Sequence, residues 1–382
     1  MSLRTTDPDP ARLYDTYRAA IGGRRRDVPT PALILDIDAA TRNLRAMERA
    51  LQGQPARLRP HIKAEKSAHL ARLHMEHGAI GVTTATAWEA LAMAHAGIPD
   101  ILIANEVVGQ AKLEAVVAAA RLARVAIAID DPRGATELSA VAQAGGVEID
   151  VLIEVDVGMA RGGTRTTDQT LAVAQAVAEA PWIRLRGVQA YEGHCMSETD
   201  RTARTAAARA AMDIARAHVE ALQLAGHTIE DVSGGGTGTY DITGRNPLVT
   251  ELQAGSFVFM DRFHAPLVDQ FENALFVAST VVARHGRTIV LDAGRKAVGI
   301  DYASPRIAGI PMDSRFFAEE HGQFDFPDAP PLDRGDRVEL IPGYAPTTVN
   351  LHDVFHVVSD GTVVDVWPII PRGPGQGLAG VA

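Results

Sequence analysis

Short apolar runs alternate along most of this chain with longer stretches in which apolar residues recur every three or four positions. The first pattern fits buried strands and the second amphipathic helices. A possible helix over residues 10–21 and a polar link come first, then a predicted strand over 30–36 and a helix over 39–51. Further strands are predicted over 58–62, 79–84, 100–105, 125–129, 150–156, 185–191, 230–233 and 251–257. Helical periodicity fills the intervals at 67–77, 87–96, 110–122, 133–144, 168–180 and 200–224.

Eight such units imply parallel strands with right-handed crossovers, closing into a (β/α)8 TIM-type barrel of the α/β class. An open doubly wound sheet is the alternative. The barrel is preferred because no early strand ends in a Gly-x-Gly-x-x-Gly turn. After about Phe271 the helices stop. Strands over 274–284, 288–292, 337–340, 354–358 and 363–366 predict a C-terminal antiparallel β domain, its last hairpin turning at Ser359-Asp360-Gly361. The expected division is an N-terminal segment 1–38 packing with the β domain, a barrel over 39–270 and the β domain over 271–382. The Pro/Gly-rich tail from Pro371 is expected to be loose.

Composition narrows the partners. The 382 residues are 46% hydrophobic and 22% charged, and no apolar run reaches the length of about 18 residues that a membrane span needs. The N-terminus lacks the apolar core of a signal peptide, so the expected location is the cytoplasm. A single cysteine, Cys195, excludes an internal disulfide and any multi-cysteine metal site. A net charge of −10 argues against a nucleic-acid surface, and Arg24-Arg25-Arg26 reads as a solvated turn.

Candidate chemistry gathers at predicted strand ends, where barrels carry their active sites. Lys63, in Arg59-Pro60-His61-Ile62-Lys63, falls where the first barrel strand gives way to a loop, and a desolvated lysine there can react with an aldehyde. Ser233-Gly234-Gly235-Gly236-Thr237 follows the seventh strand, and Gly255-Ser256 belongs to the eighth. Glycines admit an anion close to peptide N–H groups, and Ser and Thr hydroxyls add donors. A flexible glycine loop is the plainer reading, but barrels commonly bind phosphate at these two loops. A lysine and a phosphate cradle brought together by closure point to pyridoxal phosphate, an electron sink for carbanion chemistry beside an amine.

The motifs Thr30-Pro31-Ala32-Leu33, Arg59–Lys63, Gly187-Val188-Gln189-Ala190-Tyr191-Glu192-Gly193-His194, Ser233–Thr237, Asp292-Ala293-Gly294 and Thr348-Val349-Asn350-Leu351-His352-Asp353 occur in this order. Together they resemble the D-threonine aldolase and D-serine dehydratase branch of the fold-type III pyridoxal phosphate enzymes, whose barrel is like that of alanine racemase. The resemblance implies Lys63 as the cofactor lysine, a phosphate held by the Gly234–Thr237 and Gly255–Ser256 loops, a D-amino acid substrate and a homodimer. His194 would move the proton, suited to that work near neutrality. Tyr191 would pack near the cofactor ring, or be an ordinary barrel-mouth aromatic. Arg161 would bind a carboxylate or a ring substituent, or form a surface salt bridge. His61, Tyr344 and His352 are candidates for substrate contact.

One departure stands out. Relatives carry a histidine and, two residues on, a cysteine or aspartate that bind a divalent metal; here Tyr344 and Pro346 occupy those places. Neither suits a metal, so the metal site is expected to be absent. Loss of a Lewis acid handicaps dehydration more than retro-aldol cleavage. The expected activity is cleavage of D-3-hydroxy amino acids to glycine and an aldehyde. Racemisation, dehydration and non-catalytic cofactor binding are the alternatives.

Overall fold

In the computed structural model the described residues run from Pro10 to Gly373, with side chains from Tyr14 on. They fall into two compact units. One comprises residues through Arg42, Phe259–Phe263 and Glu272–Ile369; the other comprises Asn43–Val258, His264–Phe271 and the residues from Ile370. No helix among the described residues is long and apolar enough to cross a membrane.

The chain opens with α1 (Pro10–Arg18), β1 (Ala32–Asp36) and α2 (Ile37–Leu51). Next come β2 (Arg57–Leu58), α3 (Ala68–Glu76), β3 (Val82–Thr84), α4 (Ala87–His95), β4 (Asp100–Ile103), α5 (Gln110–Ala120), β5 (Arg124–Ile129) and α6 (Pro132–Gly145). Then follow β6 (Ile149–Glu154), α7 (Thr167–Glu179), β7 (Ile183–Ala190), α8 (Arg201–Leu224), β8 (Asp231–Gly234), α9 (Tyr240–Thr243) and β9 (Glu251–Leu252). All eight predicted barrel strands form, parallel, in the order β2-β9-β8-β7-β6-β5-β4-β3.

A parallel bridge between His61 and Thr83 joins the two ends of that order. Beside it Ile80 N–H donates to Leu58 O (2.9 Å) and Thr83 N–H to Pro60 O (2.8 Å). The barrel therefore closes, and its seam lies two residues before Lys63. The strand expected over 58–62 is only two residues long because Pro60 has no N–H to extend the ladder, and the chain then winds into a 3-10 turn, Ile62–Ala64. The strand expected over 251–257 likewise stops at Leu252, and glycine at 255 lets the chain pass close to the His61 carbonyl, where a Cβ would collide.

Helix starts follow the side chains that can cap them. Ser67 accepts from Leu70 N–H, Thr86 from Glu89 N–H and Asp200 from Ala203 N–H, while Thr166 and Gln169 form a capping box. Leu102, Ala104, Ala126 and Leu152 pack as one apolar cluster of neighbouring strands. At the strand starts Arg59, only 1% exposed, bonds Asp100 (2.6 Å) and Glu251 (2.7 Å). A buried guanidinium is tolerated only when paired in this way.

The other unit continues with β10 (Leu275–His285), β11 (Thr288–Leu291), β12 (Arg306–Ile307), β13 (Phe316–Phe317), β14 (Gly322–Asp325), β15 (Arg337–Ile341), α10 (Ala345–Val349), β16 (Val354–Ser359) and β17 (Thr362–Pro368). Its sheet runs β13-β14-β11-β10-β1-β16-β17, with β15 pairing β10 and β12. The pairs among β10–β17 are all antiparallel, as expected of the C-terminal domain, and β1 enters between β10 and β16 and pairs parallel with β16, so the sheet as a whole is mixed. Such a pairing, more than 300 residues apart in sequence, leaves no local signal. The predicted hairpin forms, with Asp360 and Gly361 both at positive φ (45° and 73°) as a tight two-residue turn requires. Ile34, Ala278, Val354, Val358, Val363 and Val366 make its core. The arginine triplet is not wholly solvated, since Arg25 is tied to Asp36 (2.8 Å) and Glu339 (2.6 Å). Beyond Gly373 the tail expected to be loose lies outside the described residues.

Candidate active site

Lys63 occupies the 3-10 turn just past the seam. Its Nζ lies 5.8 Å from the centroid of the Tyr191 ring, and the Arg161 guanidinium carbon lies 5.8 Å from the same centroid. Two cations share one aromatic face-former. Burial, and after it the charge of Arg161, pull the Lys63 amine from 10.5 down to about 8, with Glu89 pushing the other way. Such an amine supplies free base at near-neutral pH and can act as a nucleophile. Glu89 is itself anchored, accepting from Lys66 Nζ and from Ala85 N–H, each at 2.7 Å.

His61 stays neutral. Burial first, then the charges of Lys63 and Arg161, hold its imidazole well below its ordinary value, and its Nδ1 is buried without a partner. A Cβ on Gly236 would sit 3.5 Å from the Tyr191 ring and 3.2 Å from Met196 Sδ, so glycine lets the loop after β8 approach that ring. Thr237, the next residue, keeps its Oγ1 buried and unpartnered. Gly255 abuts His61, and Ser256, half-buried, opens a 3-10 turn. Lys63, His61, Tyr191, Arg161, Gly236, Thr237, Gly255 and Ser256 thus gather at the C-terminal ends of the barrel strands.

Two predicted phosphate contacts are engaged elsewhere. Ser233 Oγ accepts from Gln253 Nε2 (3.0 Å), inside a buried amide chain in which Gln253 also donates to Gln189 (2.9 Å) and Gln189 to Glu154. Gly235 N–H donates to Glu192 Oε2 at 3.1 Å. His194 lies on the 3-10 helix Gly193–Ser197, with its ring exposed and set against Gly158, where a Cβ would be 3.2 Å from Cε1. Glycine at φ 118° makes room for that imidazole beside the loop that carries Arg161.

Sequence reasoning missed three carboxylates. Glu154 closes β6, 3.7 Å from the Arg161 guanidinium, and burial together with the Glu106 charge pushes it up to about 8. Its signal was an acid directly after the apolar run Val151-Leu152-Ile153. Glu192 lay inside the Tyr-Glu-Gly-His motif without being assigned a role. Glu89, within a helix, gave no signal at all.

Tyr344 and His352 belong to the β unit. Tyr344 packs against Tyr302 (4.9 Å between ring centroids) and Phe263 (5.7 Å), and His352 Nε2–H donates to Ala297 O at 2.7 Å. Among the described residues no three His, Cys, Asp or Glu side chains are arranged to hold a metal ion.

A closed parallel barrel bearing a low-pKa lysine and a glycine loop defines a class. The sequence profile described as alanine racemase, N-terminal domain, matches residues 35–262, and that of a putative serine dehydratase domain matches 274–358. The chain is 37% identical over 355 residues to a D-threonine aldolase of an Arthrobacter species, covering 91% of this chain and 93% of that one. It is 36% identical over 370 residues to a 3-hydroxy-D-aspartate aldolase of Paracoccus denitrificans, with the same coverage. The crystal structure of a D-threonine aldolase from Filomicrobium marinum superposes with a TM-score of 0.90 at 37% identity, covering 92% of this chain and 98% of that one. The chain belongs to the D-threonine aldolase family, built on the alanine racemase type of barrel.

Proposed function

We propose that this protein is a pyridoxal phosphate-dependent aldolase that cleaves D-3-hydroxy amino acids to glycine and an aldehyde. The observation that carries the reading is the lowered Lys63 amine over Tyr191, beside a glycine loop whose Thr237 hydroxyl is buried with no partner. Those residues fit a cofactor with an aldehyde at one end and a phosphate at the other. When bound, that cofactor would withdraw the electron pair left on the α-carbon as the Cα–Cβ bond breaks.

The chain's own groups supply the rest. Lys63, Thr237, Gly236 and Ser256 would hold the cofactor, and the Tyr191 ring would form a platform beside it. Arg161, cationic and half-exposed, suits a substrate carboxylate. The His194 imidazole would take the proton of the β-hydroxyl as the aldehyde departs. Because Tyr344 and Pro346 stand where relatives carry metal ligands, the reaction is proposed to run without a divalent metal. The functional unit is proposed to be a homodimer, which light scattering would measure.

To test the activity, the chelator-treated, cofactor-loaded protein would be incubated with D-threonine, D-phenylserine, D-serine and D-alanine, and the products separated by chiral chromatography. Glycine with an aldehyde is expected. Appearance of L-enantiomers without cleavage would replace this reading with a racemase.

A further inference from the structure

Glu192 takes no part in the chemistry above, yet it is fully buried and accepts three hydrogen bonds. Its Oε2 receives Gly235 N–H at 3.1 Å. Its Oε1 receives the hydroxyls of Thr239 (2.7 Å) and Thr243. Thr239 Oγ1 in turn accepts Gly236 N–H at 3.2 Å. Every donor belongs to the glycine loop after β8 or to the helical turn that ends it.

One carboxylate thus fixes two consecutive peptide N–H groups, the first directly and the second through a hydroxyl. Gly235 sits at φ 76°, in a region where glycine is otherwise free to wander. Pinned in this way, the loop presents its next residue, Thr237, with an unsatisfied buried hydroxyl. An unpinned loop would have to order itself when a ligand arrived, and preorganisation removes that cost. Glu192 also sits between Tyr191 and His194, so the loop is keyed to the ring platform and to the imidazole.

We propose that Glu192 is a positioning residue that preshapes the glycine loop to receive the cofactor's phosphate. The inference rests on the pyridoxal phosphate reading. The negative charge of Glu192 opposes a nearby phosphate, whereas the loop shape that it holds favours one; three converging donors make shape the larger effect.

The test separates phosphate from aldehyde. Apoenzyme of the full chain would be titrated with pyridoxal phosphate and with pyridoxal, which has the same aldehyde and no phosphate. The ratio of the two dissociation constants reads the phosphate contribution apart from Lys63. Wild type should prefer the phosphorylated form, and Glu192→Ala and Glu192→Gln should cut that preference about tenfold or more while pyridoxal affinity changes little. The Gln variant matters because an amide has one acceptor oxygen where the carboxylate has two, so its NH2 must face either Gly235 N–H or the two threonine hydroxyls that now donate. Thr239→Val should lower the preference and Thr239→Ser should keep it; these two and Glu192→Gln carry the test if the Ala variant does not fold. An unchanged preference, a preference raised in Glu192→Gln, or equal weakening toward both ligands would overturn the proposal. A wild type without any preference would overturn the cofactor reading itself, which is a different failure.

Discussion

Replacing Arg161 by glutamine should raise the pKa of the Lys63 amine. Both cations lie 5.8 Å from the Tyr191 centroid, so they are at most twice that distance apart. At an effective dielectric of about 20, two unit charges at such a separation repel by roughly 1.4 kcal/mol, or about one pKa unit. Arg161 is 45% exposed, and solvent screening reduces the figure. The expected rise is therefore about half a unit to one unit, from a starting value of about 8. It would be measured on the apoenzyme by following, against pH, the capture of a small neutral aldehyde at Lys63, trapped by reduction and quantified by mass spectrometry. A neutral probe avoids any contact that Arg161 makes with an anion. The wild-type midpoint should shift upward in the variant; an unchanged or lower midpoint would show that burial alone sets the amine and that the shared ring does not couple the two cations.

Other outcomes follow from the same geometry. His194→Asn should retain the cofactor's visible absorption and lose about 10²–10⁴-fold in turnover, and a variant with near wild-type rates would remove His194 from proton transfer. Glu154 has a folded pKa raised from 4.5 to about 8, so the stability it contributes is full below 4.5 and is lost as pH rises through 8. Denaturant melts between pH 5 and 9 should show wild type weakening relative to Glu154→Gln, and parallel pH curves would contradict that assignment. Chelation should leave activity intact; a loss restored by manganese or magnesium would reveal a metal site despite Tyr344 and Pro346. Gly187→Ala should destabilise the barrel by about 1–3 kcal/mol, because its Cβ would strike the Asp231 carbonyl, and a smaller effect in chemical denaturation would mean that β7 and β8 separate easily.

The barrel was legible because most of its strands are apolar runs bounded by helical periodicity, and α3, α4, α6, α7 and α8 each begin at a side chain that caps them. The β unit was less so. Strands of two to four residues such as Arg306–Ile307 and Gly322–Asp325 show too little alternation to detect, and the place of β1 in the sheet depends on partners hundreds of residues away. At the candidate site, the placement of Lys63, Tyr191, Thr237 and Gly255 was legible because strand ends and glycine runs can be read from the sequence. Ser233 and Gly235 show the limit of that reasoning: residue type announced a donor, but only the folded chain reveals that Gln253 and Glu192 are already attached to them. Buried acids such as Glu89 and Glu192 look in sequence like solvent-facing charge.

Closure of the barrel at His61 and Thr83 bears on how this protein ages under heat. Strand β2 is two residues long, is cut short by Pro60, and is joined to β3 only by the His61–Thr83 bridge and the two main-chain hydrogen bonds beside it, two residues before Lys63. A ring is weakest where it is fastened with the fewest bonds, and local opening there displaces Lys63 while the remaining strands keep their pairing. If Lys63 holds the cofactor as proposed, warming would release that cofactor first, with the secondary structure still present. Greater resistance to heat is therefore to be sought in residues 57–66 and in the loops that grip them, not in the apolar layers.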